Sequence, residues 1–232
     1  SVDIRSLVDY ENYLTADTDE ARFCYLFDYE KGELPEMDKD KPIFVLSSHG
    51  HGDHYNPEVF SLLSAAGMQQ VRAILSDDIE DDEIPEGLDA LPVSPESAYD
   101  LGPQQELTTF RSTDLGVAFL IEDHGKLIYH AGDLNDWVWE EESDAYNEEM
   151  TANYRRQIDL LARELDRREI DAAFVVLDPR QEADYDRGLC YFLNKITAKH
   201  VYPMHYWDKP AVIEAFLKDH PEYKSQIQRT ES

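Results

Sequence analysis

Basic residues are scarce in this sequence of 232 residues: 21 lysines and arginines stand against 50 aspartates and glutamates, for a formal net charge of −29. Such a field repels the phosphate backbone of nucleic acids, and no basic stripe along the chain offsets it. A nucleic-acid partner is therefore not expected. A small anionic substrate stays compatible with this charge, because bound divalent cations would reverse its sign locally.

Cysteine and long apolar runs are also scarce. Only Cys24 and Cys190 occur, both among apolar or aromatic neighbours, which predicts buried free thiols in a reducing cytosol rather than a disulfide framework. No apolar run approaches the roughly 20 residues that span a bilayer, and residues 1–5 lack the basic-then-apolar order of a secretory signal. We therefore predict a cytoplasmic protein without a membrane partner. The sequence does not indicate an oligomeric state.

The chain does contain enough apolar material for a sizeable core. Hydrophobic residues make up 42% of it and aromatic residues 11%, which indicates a folded protein rather than a disordered one. No internal repeat or low-complexity linker divides the chain, and its length suits one large domain. We predict a single domain over residues 1–232.

Short apolar runs between turn residues predict strands early in the chain and strand–helix units later. Residues 2–8 are compatible with a strand, and 117–130 have the pattern of a β-hairpin. The other predicted strands include 23–27, 43–46, 73–75, 88–93, 172–177 and 200–204, and the predicted helices are 57–66, 148–168, 189–197 and 209–218. This order favours mixed sheets covered by helices.

A dense group of potential metal ligands occupies residues 47–54, directly after the predicted strand at 43–46. The imidazoles of His49 and His51 project to the same side of an extended chain, because side chains alternate with a period of two. The two intervening glycines allow a tight turn, which would bring Asp53 and His54 toward a neighbouring point. Three imidazoles and one carboxylate are typical ligands of one or two divalent cations, so this segment predicts a metal site.

A metal site held on a rigid scaffold needs further ligands at the ends of other strands. Two positions qualify. Asp133 follows a predicted strand and a glycine-containing turn, and His205 follows the apolar strand that ends at residue 204.

Together, the pattern His49-x-His51-x-Asp53-His54, the word Ala131-Gly132-Asp133 and the strand-terminal His205 resemble the metallo-beta-lactamase-fold hydrolases. The surrounding segments at 26–28, 53–57, 130–135 and 203–207 are similar to an uncharacterised bacterial branch of metal-dependent hydrolases near the ascorbate-phosphate lactonase-like members. The resemblance runs from about Phe23 to Trp207. It implies an α/β fold of the α+β type, a four-layer αββα sandwich with a two-metal site along one edge of the sheets.

Carried across position by position, the resemblance implies a first ion held by His49 and His51 and a second held by Asp53, His54 and His205, with Asp133 bridging the two. The family has one more histidine, between the first motif and Asp133, that completes the first site. The equivalent stretch here, residues 110–116, contains none. Three alternatives are open: Ser112 or Asp114 substitutes, a water takes the place, or only the second site is well held.

Several neighbours of these positions have more than one interpretation each. Asp28 and Asp178 lie at strand ends, where the resemblance suggests hydrogen bonds to the histidine loop and ordinary capping is the alternative. His130 has three interpretations: it supports a ligand, packs at its strand end or is itself a ligand. Aromatic and amide side chains beside the ligands are candidates for a pocket wall or for the core: Asn135, Trp137, Tyr206 and Trp207. Arg111 and Arg180 are isolated candidates for binding an anion.

The ligand set indicates a chemistry. Zinc is the favoured ion, and manganese or iron also suits mixed nitrogen and oxygen donors. Such an ion lowers the pKa of bound water from 15.7 toward about 7 and supplies hydroxide at neutral pH, while Asp53 orients the nucleophile and takes up its proton. We predict a metal-dependent hydrolase acting on an ester, lactone or phosphoester of a small metabolite. The alternatives are a phosphodiesterase or nuclease on the same scaffold and a non-catalytic metal-binding descendant.

Overall fold

The apolar segments form two β-sheets in a computed structural model of the chain, which describes residues 14–17, 23–34 and 37–228. The strand predicted at residues 2–8 lies outside these residues. The first sheet has its five strands in sequence order: β1 (Leu14–Asp17), β2 (Cys24–Phe27), β3 (Ile43–Ser47), β4 (Val71–Ser76) and β5 (Ala90–Val93). Strand β1 runs antiparallel to β2, and the others pair in parallel.

The second sheet contains the predicted hairpin. Its six strands are β6 (Ala98–Gly102), β7 (Gln105–Arg111), β8 (Val117–Asp123), β9 (Lys126–His130), β10 (Ile170–Val176) and β11 (Ala198–Met204). They lie in the order β11-β10-β9-β8-β7-β6. Strands β6 to β9 form an antiparallel meander, and β9, β10 and β11 run parallel to one another.

The four predicted helices are confirmed with shifted ends. They are α1 (Glu58–Ala65), α2 (Asp144–Leu165), α3 (Arg187–Lys195) and α4 (Ala211–Asp219), with short 3₁₀ turns at Asp81–Glu83, Pro179–Asp184 and Pro221–Tyr223. Helix α2 begins four residues before its predicted start, because the side chain of Ser143 accepts a hydrogen bond from the backbone N–H of Tyr146 and caps the helix there. Within the described residues, no helix combines the length and apolar character that a membrane crossing needs.

Alternate side chains of β2 and β3 enter two different cores. Tyr25 and Phe27 pack toward the second sheet, where the ring of Phe27 lies 6.3 Å from that of Phe119. Their neighbours Cys24 and Leu26 pack in a separate cluster with residues of α1. Because a strand alternates its side chains with a period of two, the first sheet is covered on one face by α1 and on the other by the second sheet.

The outer face of the second sheet is covered by α2 and α3, and the ring of Tyr129 on β9 stacks 5.5 Å from that of Phe192 on α3. The layers are therefore helix, sheet, sheet and helix, which confirms the predicted αββα architecture.

Neither cysteine is in a disulfide bond. Cys24 is buried as expected, whereas Cys190 is only partly buried. Its Sγ lies 3.5 Å from Nε2 of His220, which is in turn 2.6 Å from Oδ2 of Asp186. This contact connects α3 to the end of α4. Burial and the negative charge of Asp186 raise the pKa of the Cys190 thiol to about 12, so it stays protonated at neutral pH.

The carboxyl ends of five strands meet at one edge of the two sheets. Strands β2 and β3 end there in the first sheet, and β9, β10 and β11 end there in the second. A backbone hydrogen bond of 2.9 Å from Val117 N–H to Ser48 O joins the two sheets at this edge. The segments that follow these strand ends carry the predicted ligands.

Candidate metal centre

The Asp133 carboxylate lies among imidazoles from separate segments of the chain. Its Oδ1 is 3.3 Å from Nε2 of His54 and 3.2 Å from Nε2 of His205. Its Oδ2 is 3.8 Å from Nε2 of His49. The two oxygens of one carboxylate thus face different imidazoles, as a residue between two ions would require.

The other two predicted ligands lie at the rim of the same group. Nδ1 of His51 is 2.9 Å from Nε2 of His49, and Oδ2 of Asp53 is 3.7 Å from Nε2 of His54. The structure therefore brings all six predicted ligands together. It also places Asp114, from the stretch without a histidine, in a group with His49 and His51 whose donor atoms lie within 4.8 Å of one another.

The donor set fits a divalent cation. Oδ1 of Asp133 is buried and has no hydrogen-bond partner among the described residues. An unpartnered buried carboxylate oxygen is costly, and native proteins seldom leave one without a partner. Here it faces two imidazole nitrogens that offer lone pairs once deprotonated, and nitrogen and oxygen donors together suit zinc, manganese or iron.

Buried carboxylates orient the two imidazoles that face Asp133. Nδ1 of His54 is 3.0 Å from Oδ2 of Asp28, and Nδ1 of His205 is 2.9 Å from Oδ2 of Asp178. These contacts assign the proton to Nδ1 and leave Nε2 directed at Asp133. The expected supporting role of Asp28 is confirmed. Asp178 also supports a predicted ligand, but that residue is His205 rather than a member of the histidine loop.

Asp28 also fixes the backbone of the histidine loop. The N–H of Ser48 donates to Oδ1 of Asp28 at 2.7 Å, and the Ser48 hydroxyl donates to Oδ2 at 2.8 Å. Beyond the loop, the N–H of Gly50 donates to Oδ2 of Asp78 at 2.8 Å. The loop is thus held from two sides before any ion binds.

The electrostatics of the site favour protonated imidazoles in the absence of metal. Burial lowers the pKa of His54, but attraction to Asp28 and the hydrogen bond with it prevail and raise the pKa to about 9. Burial also lowers the pKa of His205, but the neighbouring carboxylates of Asp133 and Asp178 prevail and raise it to about 9. Binding of a cation would therefore displace protons from both rings.

Histidine 130 packs at its strand end. Its ring stacks on Phe27 with centroids 4.7 Å apart, and its Nδ1 accepts a hydrogen bond from the N–H of Gly132 at 3.1 Å. Burial lowers the pKa of His130 to about 4, so the ring is neutral at pH 7. It holds the turn that precedes Asp133.

The glycines that matter for the close packing of this site differ from those expected. Gly50 and Gly52 lie outside the left-handed region of φ, and a Cβ at either meets no severe contact. Gly132 has a φ of +52°, and a Cβ there would lie 2.7 Å from Cβ of Ser48. Gly116 has a φ of +68°, and a Cβ there would lie 1.9 Å from the carbonyl oxygen of Ser48. Both positions require glycine because another segment passes against them.

A cavity of about 300 Å³ opens over the carboxylates of Asp53, Asp114 and Asp133. Trp137 and Trp207 line it, as two of the four candidate wall residues were expected to do. The other two lie in the interior, since Tyr206 is buried and the Asn135 amide donates to Oε1 of Gln181 at 2.7 Å.

Further residues complete the wall of this cavity. Trp139, Tyr146 and Met150 line it without having been predicted from the sequence. Arg180 also lines it, with its guanidinium 4.4 Å from the ring centroid of Trp207. The wall is thus aromatic and carries a cation next to His205. Arg111, the other candidate for binding an anion, is not among the lining residues.

Neither protein-family models nor curated protein sequences match this chain. Solved structures are similar to it. One is YhfI from Bacillus subtilis, described as a metallo-beta-lactamase fold protein, which has 12% identity and a TM-score of 0.57 over 98% of this chain and 91% of that one. With the two sheets and their helix layers, this likeness shows that the chain has the metallo-beta-lactamase fold.

Other similar structures include the Zn²⁺-bound PqqB of Methylobacterium extorquens, with 13% identity and a TM-score of 0.49 over 100% of this chain and 92% of that one. The short form of human tRNase Z has 15% identity and a TM-score of 0.44, covering 84% of this chain and 85% of that one. At 12% identity the likeness to YhfI shows the architecture alone, and the site itself must indicate the chemistry.

Proposed function

We propose that the protein is a metal-dependent hydrolase that cleaves an ester, lactone or phosphoester of a small metabolite. One observation carries the proposal: the unpartnered Oδ1 of buried Asp133 faces Nε2 of both His54 and His205 at 3.2 to 3.3 Å. The buried carboxylates of Asp28 and Asp178 accept hydrogen bonds from Nδ1 of these two rings, an arrangement typical of metal-binding histidines.

The residues present would hold two ions on opposite sides of Asp133. His49 faces Oδ2 of Asp133 and has His51 beside it, whereas His54 and His205 face Oδ1 and Asp53 lies beside His54. When bound, divalent ions supply a water-derived nucleophile at neutral pH and stabilise negative charge on the substrate oxygen. Zinc is the favoured ion on this donor set, with manganese or iron as alternatives.

Asp53 is the candidate general base. Its side chain is 43% exposed and borders the cavity, and its carboxylate lies 3.7 Å from His54. It is therefore within reach of a nucleophile at the bottom of the cavity, where it would orient that nucleophile and take up its proton. The deeper carboxylates, Asp28 and Asp178, hold imidazoles in place and do not border the cavity.

The cavity limits the substrate. A volume of about 300 Å³ lies at the lower end of the range for small-molecule sites. The rings of Trp137 and Trp139 stack 5.6 Å apart in its wall, which suits a planar or apolar group. Nε and Nη2 of Arg180 donate hydrogen bonds to the carboxylate of Asp178. Nη1 is therefore the atom that would donate to a carboxylate or phosphate of the substrate.

The sequence around the ligands favours a particular branch of such hydrolases. Segments 130–135 and 203–207 are similar to an uncharacterised branch that lies near the lactonase-like members, so lactones belong first in a substrate screen. The nuclease alternative finds less support, because the net charge of −29 and an acidic site repel a polyanion. Two free cysteines fit a cytoplasmic location.

Metal analysis of the purified protein, joined to a screen of lactones, esters and phosphodiesters, tests the proposal. We expect at least one tightly bound transition metal per chain and turnover of at least one substrate class. Less than one ion per chain together with no turnover would reject it. An ion without turnover of any class would favour the non-catalytic descendant.

A further inference from the structure

We infer that Asp114 is a metal ligand that replaces the missing third imidazole of the first metal ion. The inference rests on the proposed metal-dependent function and concerns the half of the site that the sequence leaves incomplete. Residues 110–116 contain no histidine, although this stretch connects β7 to β8 at the edge where the ligands meet.

The geometry of the donor atoms supports a three-residue group. Oδ2 of Asp114 lies 3.9 Å from Nδ1 of His51, and that nitrogen lies 2.9 Å from Nε2 of His49. With bonds of about 2.0–2.2 Å to a tetrahedral ion, ligand atoms are about 3.3–3.6 Å apart. These two separations lie on either side of this range, and the three donor atoms all lie within 4.8 Å of one another, so small side-chain rotations would close the group.

One side of the turn that carries Asp114 is fastened to the histidine loop. The turn closes with a 3.1 Å hydrogen bond from Ser112 N–H to Gly116 O. Immediately after it, Val117 N–H donates to Ser48 O, and Gly116 packs so closely on the carbonyl of Ser48 that no larger residue fits. The backbone of the turn is therefore held close to Ser48 and His49.

The other side of the turn is fastened to the segment that carries Asp133. The Thr113 hydroxyl donates to Asn135 O at 2.7 Å and accepts from Asn135 N–H at 3.0 Å. Both anchors flank Asp114 by one or two residues. The turn therefore places Asp114 beside His51 of the first motif and on the same cavity as Asp133.

The Asp114 carboxylate has no competing role in the described part of the chain. Its side chain is 50% exposed, its neighbour in ionic range is His51, and it makes no hydrogen bond there. Ser112, the other candidate substitute, is buried, and its hydroxyl already accepts from the N–H of Asp114 at 3.1 Å. The serine shapes the turn and leaves the aspartate free to bind an ion.

A carboxylate in this position changes which ion the first site prefers. The donors become two imidazoles and two carboxylates, Asp114 and the bridging Asp133, in place of three imidazoles and one carboxylate. Carboxylates suit manganese better than imidazoles do, whereas imidazoles suit zinc. The first site should therefore discriminate less strongly against manganese than a three-histidine site does.

Metal titration of four proteins tests this inference. Metal-free wild type, Asp114→Ala, Asp114→His and the control Asp82→Ala are titrated with MnCl₂ and ZnCl₂ by calorimetry, and bound Mn²⁺ is counted by electron paramagnetic resonance. Asp82 is an exposed aspartate on a one-turn helix, so its substitution removes the same charge away from the donors. Circular dichroism confirms that each variant is folded.

We expect two ions per chain in wild type and Asp82→Ala. Asp114→Ala should retain one ion and bind the other at least about 100-fold more weakly, since even a residue supporting a ligand is worth 10–100-fold in affinity. Asp114→His should bind two ions again, with a higher preference for Zn²⁺ over Mn²⁺. Two ions of unchanged affinity in Asp114→Ala, or an equal loss in Asp82→Ala, would overturn the inference.

The failure of this inference can be distinguished from failure of the proposed function. If wild type and Asp114→Ala both bind one ion equally well, and His54→Ala abolishes that binding, Asp114 is not a ligand while the metal-dependent function stands. If wild type binds no ion at all, both are overturned.

Discussion

The stability of the metal-free protein should pass through a maximum near pH 6.5, because the buried imidazoles of the site divide into two kinds. His54 and His205 have a pKa raised to about 9 by neighbouring carboxylates. His49 and His130 have a pKa lowered by burial, to about 4 for His130. In the unfolded chain all four titrate near 6.5.

The signs follow from proton linkage. A raised folded-state pKa stabilises the protein fully below pH 6.5, and this stabilisation is lost as the pH rises to 9. A shift from 6.5 to about 9 corresponds to about 3 kcal/mol for each imidazole. A lowered folded-state pKa has its effect at acid pH. Between pH 6.5 and 4, His130 becomes protonated in the unfolded chain but not in the folded protein, which lowers the free energy of unfolding by about 3 kcal/mol at pH 4.

Urea unfolding of metal-free and metal-loaded protein at pH 4.5, 6.5 and 9 measures this dependence. The free energy of unfolding of the metal-free protein should be highest at pH 6.5. Loading with Zn²⁺ should remove the fall between pH 6.5 and 9, because the ion takes the place of the protons on His54 and His205.

His54→Gln provides the matched variant, since it keeps a polar side chain and removes one of the two raised pKa values. It should remove about half of the fall between pH 6.5 and 9 in the metal-free protein. A free energy of unfolding that is flat or rises over this interval in metal-free wild type would refute the assignment of protonated imidazoles beside Asp133.

Three further predictions concern single residues. His54→Ala should eliminate the ion held with His205 and abolish hydrolysis, measured by metal content and turnover; survival of both would show that the ligand assignment is wrong. Gly116→Ala should lower the free energy of unfolding by at least about 3 kcal/mol in urea, because its Cβ would lie 1.9 Å from Ser48 O at a φ of +68°; Gly52→Ala, with an open Cβ direction, is the control, and equal effects would contradict the close approach. Arg180→Ala should raise KM for an anionic substrate by about tenfold, the worth of one charge-assisted hydrogen bond, and leave KM for a neutral analogue of the same size unchanged; equal changes for both would assign Arg180 to the support of Asp178 alone.

Local patterns in the sequence identified much of the site. The spacing of His49, His51, Asp53 and His54 after an apolar strand is a local property, and so is the position of Asp133 or His205 at the end of a strand. Period-two and helical patterns likewise located the hairpin and the four helices. These features depend on neighbours a few residues away, so they can be read without knowing the fold.

Contacts between distant segments could not be predicted in this way. The sequence offered Asp28 and Asp178 as partners of the histidine loop, but Asp178 instead lies beside His205, because β10 and β11 are adjacent and parallel. The sequence also indicated Gly50 and Gly52 as the glycines that allow the tight turn of the histidine loop. The backbone crossings at Gly116 and Gly132 arise only when two sheets pack at a common edge.

By itself, the sequence predicted the ligand types, the αββα architecture through its resemblance, and the absence of a third histidine from the first site. Only the tertiary structure favours Asp114 over Ser112 as the proposed replacement. The serine hydroxyl is used within its own turn, while Thr113 and Gly116 fasten that turn to two other segments and leave the Asp114 carboxylate beside His51. Which of two neighbouring side chains faces a metal depends on how a turn is held by residues far away in the chain, and no local pattern records that.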